Sequence, residues 1–548
     1  TSSSSVAKNE NYTYVWDNTL TYLKTLGDHN LVGLLGFSIE KYEYDGLSAS
    51  GSNFPDDEVL TNLGSAATKN SIASSYNSNT LVSTFARLEY KFKNRYLATF
   101  TFRADGSSKF GPDKRWGYFP SGALAWIISE ENFLKNYSHI VSYLKLRASI
   151  GKTGSQNLGN YDWRTLMGSA TYNDAPGIKP SSLGNDILQW ESQVQKEIGL
   201  DYGFWDDRIR GSIGYYQKKV DNLLYSDPVP YSSSFSSVTQ NIGSLKNKGF
   251  EFDVKVDIIK NTQKDLTWDF DFNVARNITT LEKLNSEAEY FGGGAYEYFK
   301  IKVGGKTGIL YGYKYGGRLI RTNEELVALK TINPETGQQQ YYRDNNNYER
   351  PGDLYIMDLD GDGQITADGD RTEIGNANPD FFGGFGTTLY WKGLMVNATF
   401  TYSVGADRFY DEEKSSAGDI NSYNVSKNVL KSWTMNPGVD RGYPRAMYYG
   451  WGSNSIITDR YVHDASFLRL SALNISYRLP KRLFGSSIVD AIDLTFQATN
   501  LFTWTKYPGM DPQGNFSTSY SAFYNMGIDY SSYPSARTYN VGIKITLK

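Results

Sequence analysis

Cysteine is absent from the 548-residue sequence. That removes disulfides, thiolate chemistry and Cys-based zinc sites together. Histidine is nearly absent: only His29, His139 and His463 occur. None stands beside a Gly-x-Ser-x-Gly turn, so a Ser–His–Asp hydrolase has little from which to build its base. No run of eighteen apolar residues exists and mean hydropathy is −0.50, which excludes an α-helical membrane span. Neither sign of charge dominates, since 56 basic against 59 acidic residues leave −3. There is no basic stripe for a nucleic acid to follow. Residues 1–6 carry no charged-then-apolar leader, so an exported protein is expected to use a leader removed from this chain or lying outside it.

What is abundant points elsewhere. Tyr contributes 43 residues and aromatics reach 15%. A chain this long ordinarily suggests three or four soluble domains, but period-two alternation runs through it. Tyr96, Ala98, Phe100 and Phe102 alternate with Leu97, Thr99, Thr101 and Arg103. Phe252, Val254 and Val256 alternate with Asp253, Lys255 and Asp257, and Trp268, Phe270 and Phe272 with Asp269, Asp271 and Asn273. Fifteen such segments are expected, at residues 12–22, 31–44, 81–92, 95–104, 117–128, 143–152, 193–204, 208–219, 247–258, 267–278, 381–391, 394–403, 467–478, 491–504 and 538–548. Most are about ten residues long, the length a tilted strand needs to cross a bilayer. In 467–478, Arg469 and Leu473 fall on one face and spoil the alternation.

The connections sort by length. Lys93-Asn94, Asp206-Asp207, residues 261–266 and Lys392-Gly393 are short, whereas 45–80, 153–192, 220–246, 279–380, 404–466 and 505–537 are long. A transmembrane barrel has short periplasmic turns and long extracellular loops; a soluble sandwich has no reason to sort its loops so. Trp116, Tyr118, Trp126, Trp205, Trp391 and Trp504 lie near strand ends, as interfacial girdles do. The expected fold is therefore all-β, a transmembrane antiparallel β-barrel. Fifteen is an odd count, and an open edge in lipid leaves backbone groups unpaired. The chain is thus expected to be one part of a barrel, with no plug-like domain ahead of its first strand.

RADGSSKFGPDKRWGYFPSGALAWIISEENF at 103–133 closely resembles a signature of SusC/RagA-like TonB-dependent transporters of Bacteroidetes. SYLKLRASIGKTGSQNLGNY at 142–161, LQWESQVQKEIGLDYGFWDDRIRGSIGYYQKKVDNLLY at 188–225, NIGSLKNKGFEF at 241–252 and GNANPDFFGGFGTTLYWKGL at 375–394 follow in the family's order. So do DASFLRLSALNISYRLPK at 464–481, NLFTWTKYPGMDP at 500–512 and YPSARTYNVGIKITL at 533–547. The resemblance implies a bacterial outer-membrane barrel of about twenty-two strands with a plugged lumen, of which this chain would supply the eighth to the last. It implies TonB-dependent import of a bulky nutrient, an oligosaccharide or a peptide, with no catalytic residue. It also implies a SusD-like surface lipoprotein on the extracellular loops and a TonB complex acting through the plug. A structural barrel in a larger outer-membrane assembly is the alternative, and an outer-membrane hydrolase a third.

One motif carries its own chemistry. Asp358, Asp360, Asp362 and Gly363 spell D-x-D-x-D-G, the first half of an EF-hand-type loop in which three carboxylates converge on one hard cation. Gln364 would offer its backbone carbonyl. The twelfth position is Gly369 where a bidentate acid belongs; Asp368 is one residue early and Asp370 one late. The expectation is a structural Ca²⁺ held by Asp358, Asp360, Asp362, Gln364 and Asp370, against a metal-free acidic turn. Loop aromatics, among them Tyr423, Trp433, Tyr448, Tyr449, Trp451, Tyr520, Tyr524 and Tyr530, suit stacking on sugars or gripping peptides, or simply packing within the loops.

Overall fold

Backbone pairing between sequence neighbours organises the chain. The computed structural model describes residues 2–548 apart from 57, 174, 285–289, 293–298, 330, 333–338, 341–349, 419–423, 435–441, 447–453, 455, 486–487, 515–525 and 531. The long strands are β1 (Ser3–Leu26), β2 (His29–Ser52), β3 (Thr68–Phe92), β4 (Tyr96–Ser107), β5 (Trp116–Ile127), β6 (Val141–Ser155), β7 (Glu191–Phe204) and β8 (Ile209–Asp221). They continue as β9 (Ser244–Asn261), β10 (Leu266–Lys283), β11 (Phe381–Trp391), β12 (Leu394–Val404), β13 (Phe467–Arg478), β14 (Val489–Thr505) and β15 (Thr538–Leu547). They form one fifteen-stranded sheet whose order is their order in the chain. Each of the fifteen expected segments coincides with one of them.

Strand contacts divide the chain into two units, residues 1–202 with 214–247 and 282–285, and residues 203–213 with 248–281 and 286–548. In the first, pairing places Leu20, Leu35, Ala86, Phe102 and Pro120 in one row across β1–β5. Tyr22, Gly33, Leu88, Phe100, Gly122 and Ile150 make the next row of that face. The opposite face carries Thr21, Leu34, Arg87, Thr101, Ser121 and Gly151. In the second unit one face bears Trp268, Leu389, Val396, Ile475, Phe496 and Val541, and the other Asp269, Thr388, Asn397, Asn474, Gln497 and Asn540. Amides join this second row: Asn397 donates to Thr388 Oγ1 at 3.0 Å and Asn474 to Asn397 Oδ1 at 3.2 Å. The apolar face is bare, with Leu20 68% and Val541 82% exposed. Each such side chain left in water forfeits about 1.5–3 kcal/mol relative to burial. A bilayer removes that cost.

The length of the apolar band can be read on β1 and β2. From Leu26 to Trp16 the outward face is largely apolar. Beyond Trp16–Ile39 the same face pairs Tyr14 with Lys41, Tyr12 with Glu43 and Glu10 with Asp45. The strands thus run on past the lipid, which corrects one expectation. The connection expected at 45–80 is only 53–67, because β2 continues to Ser52 and β3 begins at Thr68. Above the membrane both faces meet water, so the hydrophobic alternation vanishes while the ladder persists.

The short turns take left-handed backbone, as tight hairpin turns do, Lys392-Gly393 being the whole of its connection and Lys93-Asn94 being followed by Arg95 before the next strand. Lys93 and Asn94 have φ of 52° and 56°, and Lys392 and Gly393 have 48° and 86°. The spoiled alternation of β13 has a local cause. Against β12 the register shifts between Thr399 and Phe400, which leaves Ser471 as an extra residue. The bulge reverses the parity. Arg469 therefore lies opposite Thr401 on the polar face, and Leu473 opposite Ala398 on the apolar one. This assignment predicts that Leu473→Arg destabilises the folded full-length protein in lipid by about 2–4 kcal/mol, while Asn474→Arg costs far less. Urea titration of tryptophan fluorescence in phospholipid vesicles measures both; equal costs would refute the face reversal.

Candidate functional site

The acidic motif lies between two short strands that anchor it. Leu354–Ile356 pairs with Tyr315–Leu319, and Arg371–Asn376 pairs with Ile309–Tyr313. Between them Ile365 is buried, holding the loop to the core beneath. Carboxylate oxygens of Asp358, Asp360 and Asp362 lie within 4.8 Å of one another. Backbone amides orient all three. Asp358 accepts from Gly361 and Gly363, both at 2.7 Å, Asp360 from Asp362 at 3.1 Å and Asp362 from Gln364 at 2.7 Å. Gly361 and Gly363 adopt φ of 78° and 83°, a region closed to most side chains.

The other two expected ligands make hydrogen bonds within the loop. Gln364 supplies its N–H to Asp362. Asp370 is fully buried and acts as a brace, its oxygens accepting from Leu359 and Thr366, each at 2.7 Å. Burial, with the nearby charges of Asp360 and Asp358, raises its carboxyl above the usual range against those two hydrogen bonds. A Cβ on Gly369 would meet the Asp360 carboxylate, which would have to swing aside.

The motif belongs to a larger folded platform. Leu310, Leu354, Ile356, Phe409, Tyr461 and Ile528 share one buried cluster, so the connections expected at 279–380, 404–466 and 505–537 share one core. The strand Asp407–Tyr410 stitches them, pairing antiparallel with Val462–Asp464 and parallel with Ile528–Asp529. Beneath lies Asp353, fully buried. Arg445 Nε donates to its Oδ1 at 2.7 Å, Asn454 to the same oxygen at 2.9 Å and the Arg350 amide to Oδ2 at 2.8 Å. Burial pushes this carboxyl up, and the arginine opposes the shift.

A second polar cluster sits on the sheet. Arg147 of β6 meets Glu197 and Asp201 of β7, and Lys145 reaches Asp201 at 3.3 Å. Lys145, Arg147 and Glu197, with Thr99, Ala123 and Ala125, line an open recess of about 350 Å³. Across the ion-pair cluster two cations face two carboxylates, so it has no net charge to hold an ion. Two of the three histidines are engaged elsewhere: His29 Nδ1 with the Tyr90 hydroxyl and His463 Nε2 with Glu413, both at 2.7 Å. Of the loop aromatics, Trp433 packs against the platform core and Tyr530 is exposed. Tyr423, Tyr448, Tyr449, Trp451, Tyr520 and Tyr524 lie outside the described residues.

Two predictions test the platform. Arg445→Met strands the Asp353 carboxylate and should cost about 3–5 kcal/mol locally. Adding Asp353→Asn should recover part of that, read by hydrogen exchange of residues 350–357 in the full-length protein. Asp407 is the converse case. Burial first, then the charges of Asp464 and Asp380, raise its carboxyl, while the Asn376 amide opposes the shift. Its folded pKa stands above the unfolded ~3.9, so its stabilising contribution is full below that value and is lost as pH rises through the folded one. Asp407→Asn should therefore slow exchange of residues 407–410 at pH 7 and flatten the acid dependence. Unchanged exchange would contradict that account.

The chain matches the family model described as TonB dependent receptor-like, beta-barrel, over residues 1–501. It is 35% identical to TonB-dependent receptor P3 of Formosa agariphila, over 96% of this chain and 52% of that protein. It is 30% identical to TonB-dependent receptor SusC of Bacteroides thetaiotaomicron, over 97% of this chain and 50% of that protein. The solved structure of the RagAB peptide transporter superposes with a TM-score of 0.81 at 26% identity, covering 99% of this chain and 56% of that one. The chain spans about half the length of the relatives it matches.

Proposed function

The chain belongs to the TonB-dependent receptor β-barrel family, as a SusC/RagA-like member of this non-enzymatic group of bacterial outer-membrane proteins, and from that premise we propose that it forms the larger part of the barrel wall of a nutrient importer. The observation that carries the reading is the pairing of a two-faced sheet with a folded loop platform. One face of the sheet is apolar for lipid and the other carries a row of amides and hydroxyls with Asp269 at its edge. The long connections condense on a core of their own. A wall rich in hydrogen-bonding groups suits a polar solute such as an oligosaccharide or a peptide.

In this reading about seven further strands and a plug complete a barrel of about twenty-two strands, the TonB complex supplies energy through the plug, and a SusD-like lipoprotein sits on the platform. Relatives named SusC and a RagAB peptide transporter support it. Deleting the gene that encodes the full-length protein should abolish uptake of at least one solute from labelled oligosaccharide and peptide pools in intact cells. Uptake unchanged across both pools would overturn the proposal.

We also propose that Asp358, Asp360 and Asp362 hold a structural Ca²⁺, with the Gln364 carbonyl beside them and Asp370 bracing the loop from behind. The convergence of three carboxylates within 4.8 Å supports it. With no acid at the twelfth position the affinity should be that of an extracellular module, about 10⁻⁴–10⁻³ M. Calorimetry of the purified full-length protein with CaCl₂ should show one such site, lost in Asp360→Asn/Asp362→Asn. Heat indistinguishable from dilution would establish a metal-free turn.

A further inference from the structure

Arg469 is a charged residue with almost no exposure, 4%, on the polar face of β13. Every arm of its guanidinium is engaged. Nε donates to Thr503 Oγ1 on β14 at 3.0 Å. Nη1 donates to Gln513 Oε1 at 2.7 Å and Ser535 Oγ at 3.3 Å. Nη2 donates to Asp511 Oδ1 at 2.6 Å, and Asp511 is itself buried. Gln513 and Asp511 stand on the outgoing arm of the connection between β14 and β15, and Ser535 on its returning arm. One side chain of the wall therefore grips both arms.

Neighbouring contacts extend the grip. Asp511 accepts from the Gln513 amide at 3.0 Å and the Ser535 amide at 3.1 Å, which ties the arms to each other. Asn500 of β14, at a φ of 53°, donates to the Ala536 carbonyl at 3.0 Å. Further out, the Tyr507 hydroxyl donates to Asp529 at 2.8 Å and Arg408 Nε to the Pro512 carbonyl at 3.2 Å. Ile528 and Asp529 pair with Phe409 and Tyr410. Whatever fixes residues 506–514 and 526–530 on the wall thus also fixes the strand Asp407–Tyr410. Four charge-assisted or neutral bonds on one planar fork form a geometry that lysine cannot reproduce.

We propose that Arg469 is a positioning residue for import: it clasps both arms of the β14–β15 connection to the barrel wall and so holds the loop platform in the arrangement that captures solute. This rests on the import reading above. The clasp acts on capture, so its loss affects the concentration at which uptake half-saturates. The energised step that sets the maximal rate is assigned to the TonB complex.

Two readouts on the full-length protein in intact cells test the clasp and its role separately. Arg469→Met should speed trypsin cleavage after Lys506 and Arg537 by about tenfold at equal surface amount, as expected for a local opening made easier by about one hydrogen-bonded ion pair. It should raise the half-saturating concentration of uptake by a similar factor and leave the maximal rate per folded barrel unchanged. Arg469→Lys should fall between. Asp511→Asn keeps the side-chain volume and should show the same pattern more mildly, and it decides the matter where Arg469→Met lowers the surface amount. Unchanged cleavage overturns the clasp. Faster cleavage with an unchanged half-saturating concentration, or a fall in maximal rate alone, overturns the positioning role. If the unmodified protein imports no solute, the import reading fails and the positioning role with it, while cleavage still decides whether the clasp exists.

Discussion

Backbone amides and carbonyls taken into hydrocarbon find no water, and each left unpaired costs several kcal/mol. That constraint explains the sheet. Fifteen strands pair with their neighbours in chain order, which satisfies the ladder locally and needs no long crossover. Once the ladder is fixed, pleating sends alternate side chains to opposite faces. Lipid then selects Trp268, Val396 and Val541 on one face, and the interior accepts Asp269, Asn397 and Asn540 on the other. The bulge at Ser471 shows the strength of this selection. The chain spends an irregularity so that Arg469 and Leu473, four residues apart, can face opposite ways.

Outside the lipid, water satisfies the backbone and the constraint relaxes. β1 and β2 continue as a ladder with polar side chains on both faces. The long connections fold under the ordinary rules of soluble proteins, with an apolar core and buried carboxylates held by partners. Asp353 and Asp511 are such groups, each held by an arginine and by backbone amides. A buried pair of this kind contributes little net stability, yet breaking it is costly because one charge is stranded. Arg445 and Arg469 therefore act more to specify one loop arrangement than to strengthen it.

Much of this was legible from residues alone because period-two alternation is a direct imprint of the lipid constraint. β11 and β13 begin and end where the alternation does. Legibility failed where the imprint is missing. Residues 45–52 and 68–80 are strand, yet they read as loop, since neither face needed apolar residues there. The acidic motif was legible because its ligands are adjacent in sequence. The clasps were not, since Arg445 lies 92 residues from Asp353 and Arg469 42 from Asp511.

The sequence by itself determined the membrane-facing strands, the sorting of short turns from long loops, the family, and the three carboxylates that converge at 358–362. Those features are local or periodic, and local spacing fixes them. Only the tertiary structure decided that Asp370 braces the acidic loop from a buried position, that three connections share one core, and that Arg469 grips both arms of one of them. These are contacts between distant segments, created when the ladder brings strand ends side by side, and no spacing within one strand encodes them.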